Sequence, residues 1–87
     1  MWYVYVLQSL KNERLYIGST NNLERRLSEH NSGKSRYTRS TRPFELVYQE
    51  DYGERIEARR RELFLKSGKG REFLRSGPLA QQVRAQS

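Results

Sequence analysis

Cysteine is absent from this 87-residue chain, which excludes disulfides and thiolate metal sites and leaves an apolar core as the source of stability. That absence suits a reducing compartment, and the cytoplasm is the expected location. Long hydrophobic runs are also missing. Met1–Leu7 is apolar, but it is far too short to span a bilayer, and no basic n-region or cleavage site accompanies it. No membrane association is expected, and the segment reads as a first strand. Leu, Ile, Val and Phe together number only nineteen, just above the level at which a highly charged chain is classed as disordered. Six Tyr and one Trp add apolar area outside that count. A single thin-cored domain follows, with no room for a second core and no internal repeat.

Positive charge is plentiful. Seventeen Lys and Arg against ten Asp and Glu give a net charge of +7 with His30 neutral. A field of that sign favours polyanions such as nucleic acid, an acidic membrane surface or an acidic protein. Charge alone does not separate those partners from a basic surface kept for solubility.

Trp2 to Leu7 is rich in β-branched and aromatic residues, which predicts a strand. Lys11-Asn12-Glu13 reads as a turn, and Leu15-Tyr16-Ile17 resumes the apolar pattern up to Gly18, so an antiparallel hairpin is expected. Asn21 is the expected N-cap of a helix over Asn22–Asn31, with Glu24 in the capping-box position and Gly33 as the stop. Lys34–Arg42 carries four positive charges and no negative ones, the pattern of an exposed loop ending at Pro43. Phe44, Leu46 and Tyr48 alternate with Glu45, Val47 and Gln49, which predicts a third strand. A second helix is expected from Gly53-Glu54 to about Lys66, broken by Ser67-Gly68-Lys69-Gly70, and Arg71–Arg75 forms one further turn. The predicted fold is α+β: a three-stranded, mainly antiparallel sheet flanked by helices in the order ββαβαα. The domain is expected over residues 1–75, and residues 76–87 as a disordered tail.

Strand alternation places Tyr3 and Tyr5 on one face and Trp2, Val4 and Val6 on the other, and a hairpin can bring Tyr5 near Tyr16. Tyrosines in a small sheet also serve simply as core residues with wet hydroxyls. Arg26 and His30 are four apart and share a helical face beside the one formed by Leu23 and Leu27. The plain alternative there is a solvated basic face. Ala58, Glu62 and Leu65 follow i, i+4, i+7 spacing, which sets a carboxylate on an apolar stripe, although Ile56 and Leu63 offer a rival stripe. A partly buried carboxylate needs either a cation or a metal, and the plain alternative here is a salt bridge to one of the many arginines.

The spacing of these residues joins them. Tyr5 to Tyr16 is eleven residues, Tyr16 to Arg26 ten and Arg26 to His30 four. With Tyr3-Val4-Tyr5, Tyr16-Ile17-Gly18, the Arg26-x-x-x-His30 helix and Glu62, the chain resembles the GIY-YIG nuclease superfamily over about residues 2–74. It is most similar to the compact single-domain bacterial members, and so to the nuclease domain of the excision-repair incision subunit. Tyr3 stands where the first motif has glycine, a position that supplies backbone. The sequence shows no zinc-finger or helix-hairpin-helix pattern, so selectivity is expected to come from this domain or from a partner.

The resemblance implies a metal-dependent endonuclease that hydrolyses phosphodiester bonds in DNA, with single-stranded or structured DNA favoured and RNA as a second candidate. It implies one divalent cation, Mg²⁺ or Mn²⁺, held by Glu62 and completed by water and phosphate. Arg26 would bind a phosphate oxygen and favour the phenolate of a tyrosine whose ordinary pKa is about 10. Tyr5 is the expected base and Tyr16 the alternative, with His30 orienting water, contacting phosphate or assisting proton transfer. In the basic loop, Lys34, Arg36, Arg39 and Arg42 can neutralise phosphates and Tyr37 can stack on a base, against the alternative of a solvated loop. A monomer is expected. The competing function is a non-catalytic nucleic-acid-binding module acting in a DNA repair or processing complex. A third is a basic RNA-associated protein.

Overall fold

The most apolar stretch of the chain lies in strand β1 (Trp2–Ser9), where the run from Trp2 to Leu7 is unbroken because the strand is buried on both faces from Val4 onward. It pairs antiparallel with β2 (Leu15–Thr20) on one side and β3 (Phe44–Tyr52) on the other, giving the sheet order β2-β1-β3. Helix α1 (Leu23–Ser32) follows β2, a single 3-10 turn (Arg39–Thr41) precedes β3, and α2 (Arg55–Lys66) and α3 (Gly68–Ser76) close the chain. These elements come from a computed structural model that describes residues 1–34 and 38–80. The order ββαβαα and the α+β class are those the sequence predicts. Among the described residues, no helix is long and apolar enough to cross a membrane.

Strand alternation divides the core in two. Val4, Val6 and Ile17 pack with Ala58, Leu65, Leu74 and Leu79 beneath α2 and α3, while Tyr5, Leu7 and Phe44 pack with Tyr16, Leu23 and Leu27 beneath α1. Asn31 ties α1 to β3, accepting from the Phe44 N–H at 2.6 Å and donating to the Phe44 carbonyl at 3.2 Å.

Four local expectations are corrected. The N-cap of α1 is Asn22, not Asn21; its side chain accepts from the Arg25 N–H at 3.0 Å, so Glu24 takes no part in a capping box. Gly33 does end the helix, with φ of 87°, the left-handed conformation that glycine adopts most cheaply. The strict alternation expected in β3 is broken by a bulge: Leu46 pairs with Leu7 but Tyr48 pairs with Val6, so Val47 is the extra residue. Phe44 and Leu46 therefore face α1, whereas Tyr48 and Tyr52 pack against the opposite cluster.

The third helix is longer than one turn. Ser67 caps it by accepting from the Gly70 N–H at 3.2 Å, so the Ser-Gly-Lys-Gly segment ends α2 and also begins α3. Gly70 is needed for this sharp corner, since a Cβ there would collide with the backbone of Phe64 and Leu65. Order also persists beyond Ser76, where the tail was expected to start. Leu79 is 1% exposed within the core, and its N–H bonds the Leu74 carbonyl at 2.8 Å. Residues 81–87 lie outside the described residues.

Candidate active site

Antiparallel pairing sets Tyr5 directly opposite Gly18, and Tyr16 opposite Leu7, two positions along on the same face. Tyr5 and Tyr16 thus become diagonal neighbours with ring centroids 6.4 Å apart. The Tyr5 phenol lies flat over Gly18. A Cβ at that position would sit 2.5 Å from Tyr5 Oη and 2.7 Å from Cζ, and the ring, only 2% exposed, has nowhere to move. Glycine in the second motif is therefore a requirement for close backbone approach.

Helix α1 brings Arg26 and His30 over the same phenol. Arg26 Nε donates to Tyr5 Oη at 3.4 Å, and His30 Nε2 lies 3.3 Å from the same oxygen. The other imidazole nitrogen, Nδ1, is 2.8 Å from Thr38 Oγ1, and the Tyr16 ring meets the imidazole edge-on at 4.7 Å. Arginine cannot accept a hydrogen bond, so the Tyr5 oxygen accepts from Arg26, while the two ring nitrogens of His30 are bonded to the Tyr5 and Thr38 hydroxyls, each of which can donate or accept. Four of the expected site residues, Tyr5, Tyr16, Arg26 and His30, therefore form one cluster.

Its electrostatics differ from the sequence expectation in one respect. Burial pushes the Tyr5 phenol up to about 12, and the Arg26 hydrogen bond only partly offsets it. Tyr5 is not a ready phenolate at neutral pH, because removing water from the oxygen outweighs one partly exposed guanidinium. His30 is fully buried and its pKa is depressed to about 4, by burial first and by Arg26 second, so the imidazole is neutral. The Tyr5 contact holds Arg26 further into its cationic form, and Arg26 Nη1 donates to Glu29 Oε1 at 2.9 Å.

Helix α2 settles the choice between its two stripes. Ala58, Glu62 and Leu65 are buried, whereas Ile56 and Leu63 are 58% and 60% exposed. Glu62 is 4% exposed. Its Oε1 accepts from Ser19 Oγ at 2.7 Å and lies 3.6 Å from Arg59, while Oε2 pairs with Lys66 Nζ at 2.8 Å. Burial pushes this carboxyl up, but the bonds from Lys66 and Ser19 outweigh it and hold it below the usual range. The ion-pair alternative raised by the sequence is thus realised, with a lysine as the nearer partner. Among the described residues, no cluster of three or more His, Asp or Glu side chains forms a ready-made metal cage.

A groove of about 320 Å³ runs between the two helices, lined by Ser19, which bonds Glu62, and by Arg26, which bonds Tyr5. The Glu62 charge pushes Tyr5 up slightly further. Sequence reasoning missed Ser19, Thr38 and Glu29. Ser19 directly follows Tyr16-Ile17-Gly18 and was findable from that motif; Thr38 has no local signal.

Two arginines of the basic loop also bind the chain itself. Arg39 Nε donates to the Gly33 carbonyl at 3.0 Å, and the Arg42 guanidinium packs against Gly33, so both close the C-terminal end of α1. Lys34 is exposed nearby. Arg36 and Tyr37 lie outside the described residues.

Comparison with known proteins agrees with this architecture. A family model described as the GIY-YIG catalytic domain matches residues 1–74. A UPF0213 protein of Desulfotalea psychrophila is 48% identical over 67 residues, covering 75% of this chain and 60% of that protein. One from Staphylococcus haemolyticus is 46% identical over 66 residues, covering 75% of this chain and 79% of that protein. The solution NMR structure of a UPF0213 protein from Bacillus halodurans superposes with a TM-score of 0.52 at 39% identity, covering 87% of this chain and 84% of that one.

Proposed function

The chain belongs to the GIY-YIG family, whose members are in general nucleases dependent on a divalent metal, and from that premise we propose that it is an endonuclease cleaving phosphodiester bonds in DNA. The observation that carries this is the convergence of Arg26 and His30 on the Tyr5 hydroxyl, with an ionised Glu62 bonded to Ser19 in the wall of the arginine-lined groove. A pure binding module has no use for a carboxylate facing phosphate.

Arg26 is the phosphate ligand: its guanidinium is cationic and partly exposed, and it can move from Glu29 to a phosphate oxygen. Tyr5 orients the attacking water. Because its phenol is held neutral, Tyr5 acts through its hydrogen bonds rather than as a phenolate, its hydroxyl positioned by Arg26 and by the neutral imidazole of His30, which Thr38 holds in place. Tyr16 packs edge-on against that imidazole and is the second tyrosine able to fill the water-orienting role. Glu62 fits a divalent cation, Mg²⁺ or Mn²⁺, as its single protein ligand, since the ionised carboxylate already gathers cationic groups at both oxygens. Such an ion supplies neutralisation of charge on the phosphate and on the leaving oxygen. Lys34, Arg39 and Arg42 remain candidate outer phosphate contacts, secondary to their place around Gly33.

One observation favours a second reading. Both Glu62 oxygens are engaged by the chain's own side chains, as a non-catalytic nucleic-acid-binding module would have them. Incubation of the purified chain with end-labelled single-stranded, duplex, flapped and branched DNA and with RNA, in Mg²⁺, in Mn²⁺ and in chelator, separates the two. Divalent-dependent cleavage is expected, reduced roughly 10²-fold or more in Glu62→Ala and in Arg26→Ala, with both variants folded by circular dichroism. Binding without cleavage of any substrate would establish the module instead.

A further inference from the structure

The groove beside the candidate active site carries side chains that the proposed reaction does not use. Its wall includes Trp2, the chain's single tryptophan, half-buried and overlaid by the Arg55 guanidinium at 5.6 Å from the ring centroid. Arg55 and Arg59 lie four apart on α2 and line the same groove as Arg26. Arg55 is exposed and has no carboxylate within ion-pairing distance among the described residues. Arg59 is 63% exposed and touches Glu62 only at 3.6 Å. The groove thus presents Arg25, Arg26, Arg55 and Arg59 against a single carboxylate, Glu29.

A cation stacked on an indole, one helical turn from a second cation, suits a nucleotide unit. The base finds a planar face, and the phosphates on either side of it find guanidinium donors. Resting on the endonuclease reading above, we propose that this groove is a nucleotide-binding subsite for the strand that passes the active site. Arg55 and Arg59 neutralise phosphates flanking the scissile one, and an unpaired base stacks on the Trp2–Arg55 pair. A base inside a duplex cannot offer its face to Trp2 without leaving the stack, so the subsite selects a single-stranded segment. It is lined by none of the basic-loop residues in which the sequence alone placed the nucleic-acid contacts.

The structural alternative is that Arg55 merely pins the start of α2 to β1. A titration of the full chain, in chelator to suppress cleavage, distinguishes the two. A dye-labelled single-stranded oligodeoxynucleotide is followed by anisotropy while Trp2 emission is recorded in parallel. Trp2 emission is expected to fall in step with anisotropy, and to fall less with a fully paired duplex. Arg55→Ala and Arg59→Ala each weaken binding roughly 3- to 10-fold and reduce the steepness of log K against log salt by about 0.7, the share of one phosphate contact on a single strand. Trp2→Ala is expected to weaken single-strand binding roughly 10-fold, and Trp2→Phe, which keeps a planar ring, to recover part of that loss. Full binding with unchanged Trp2 emission, or wild-type affinity in both arginine variants, overturns the subsite and leaves the endonuclease reading standing. Quenching and binding in a chain that cleaves nothing in Mg²⁺ or Mn²⁺ overturns the endonuclease reading and keeps the subsite.

Discussion

Glu50 and Glu62 both face the interface between the sheet and α2, yet they are held in opposite ways. Glu50 accepts from the Tyr48 and Tyr52 hydroxyls and takes Arg61 bidentately at 2.9 and 3.1 Å. Arg61 is itself fixed between the Phe64 and Phe73 rings at 5.0 and 5.1 Å. Glu62 is the less exposed of the two, 6% against 16% by side chain, but its cationic partners Lys66 and Arg59 are 46% and 63% exposed. Burial pushes both carboxyls up and their hydrogen bonds hold both down. What separates them is whether the partners can leave. Phenols and a stacked guanidinium cannot; a lysine on a flexible stem can, and its departure opens an ionised oxygen beside a basic groove.

Exchanging each acid for its amide is the strongest way to break this contrast. Glu62→Gln is expected to lower cleavage roughly 10²-fold while the melting temperature stays within a few degrees. Glu50→Gln is expected to keep cleavage per folded molecule but to lose about 2 kcal/mol of stability through its unpaired phenols and guanidinium, a fall of roughly 10 °C in a domain of this size. Equal activity losses in the two variants would erase the distinction.

The next effect sharpens the picture on the α1 side. His30 has its folded pKa depressed to about 4 from an ordinary 6.5. Its contribution to stability is therefore intact above pH 6.5 and lost as pH falls from there towards 4, on the order of 3 kcal/mol. Urea unfolding between pH 7 and pH 4 should show that decline, and His30→Gln should flatten it. The lowered carboxyls of Glu50 and Glu62 act at more acid pH, their stabilisation fading as pH drops below about 4.5. A wild-type profile flat down to pH 4.5 would mean that the imidazole is not desolvated.

The smallest expected effect tests exchangeability itself. Lys66→Met should tighten Mn²⁺ binding, measured by calorimetry, roughly 3-fold by removing a competing cation worth no more than an exposed ion pair. Arg61→Met, beside Glu50, should leave Mn²⁺ binding unchanged. Identical responses would show that neither carboxylate exchanges its partner for a metal.

Much of this was legible in the residues. Alternation in β1 put Tyr5 opposite in sense to Val4 and Val6, and four-residue spacing put Arg26 and His30 on one face, because both follow from local backbone geometry. The buried stripe of α2 was legible only as one of two options, since Ile56 and Leu63 are as apolar as Ala58 and Leu65 and only contact with the sheet chooses between them. The β3 bulge, the partnership of Thr38 with His30 and the burial of Leu79 carried no local signal. The bulge and the burial of Leu79 depend on strands and core residues dozens of positions away, and Thr38 reaches His30 only because the chain folds back past the end of α1.

Chain order and residue type were enough to name the elements, the family and the set Tyr5, Tyr16, Arg26, His30 and Glu62, because periodicity and motif spacing are properties of short stretches. Folding set how firmly each protonation state is held. The upward push on Tyr5, the downward push on His30 and the net lowering of Glu62 arise from how much water surrounds each atom and which charges stand nearby. Solvation of that kind is contributed by every element that closes over a group, and no short stretch of sequence contains it.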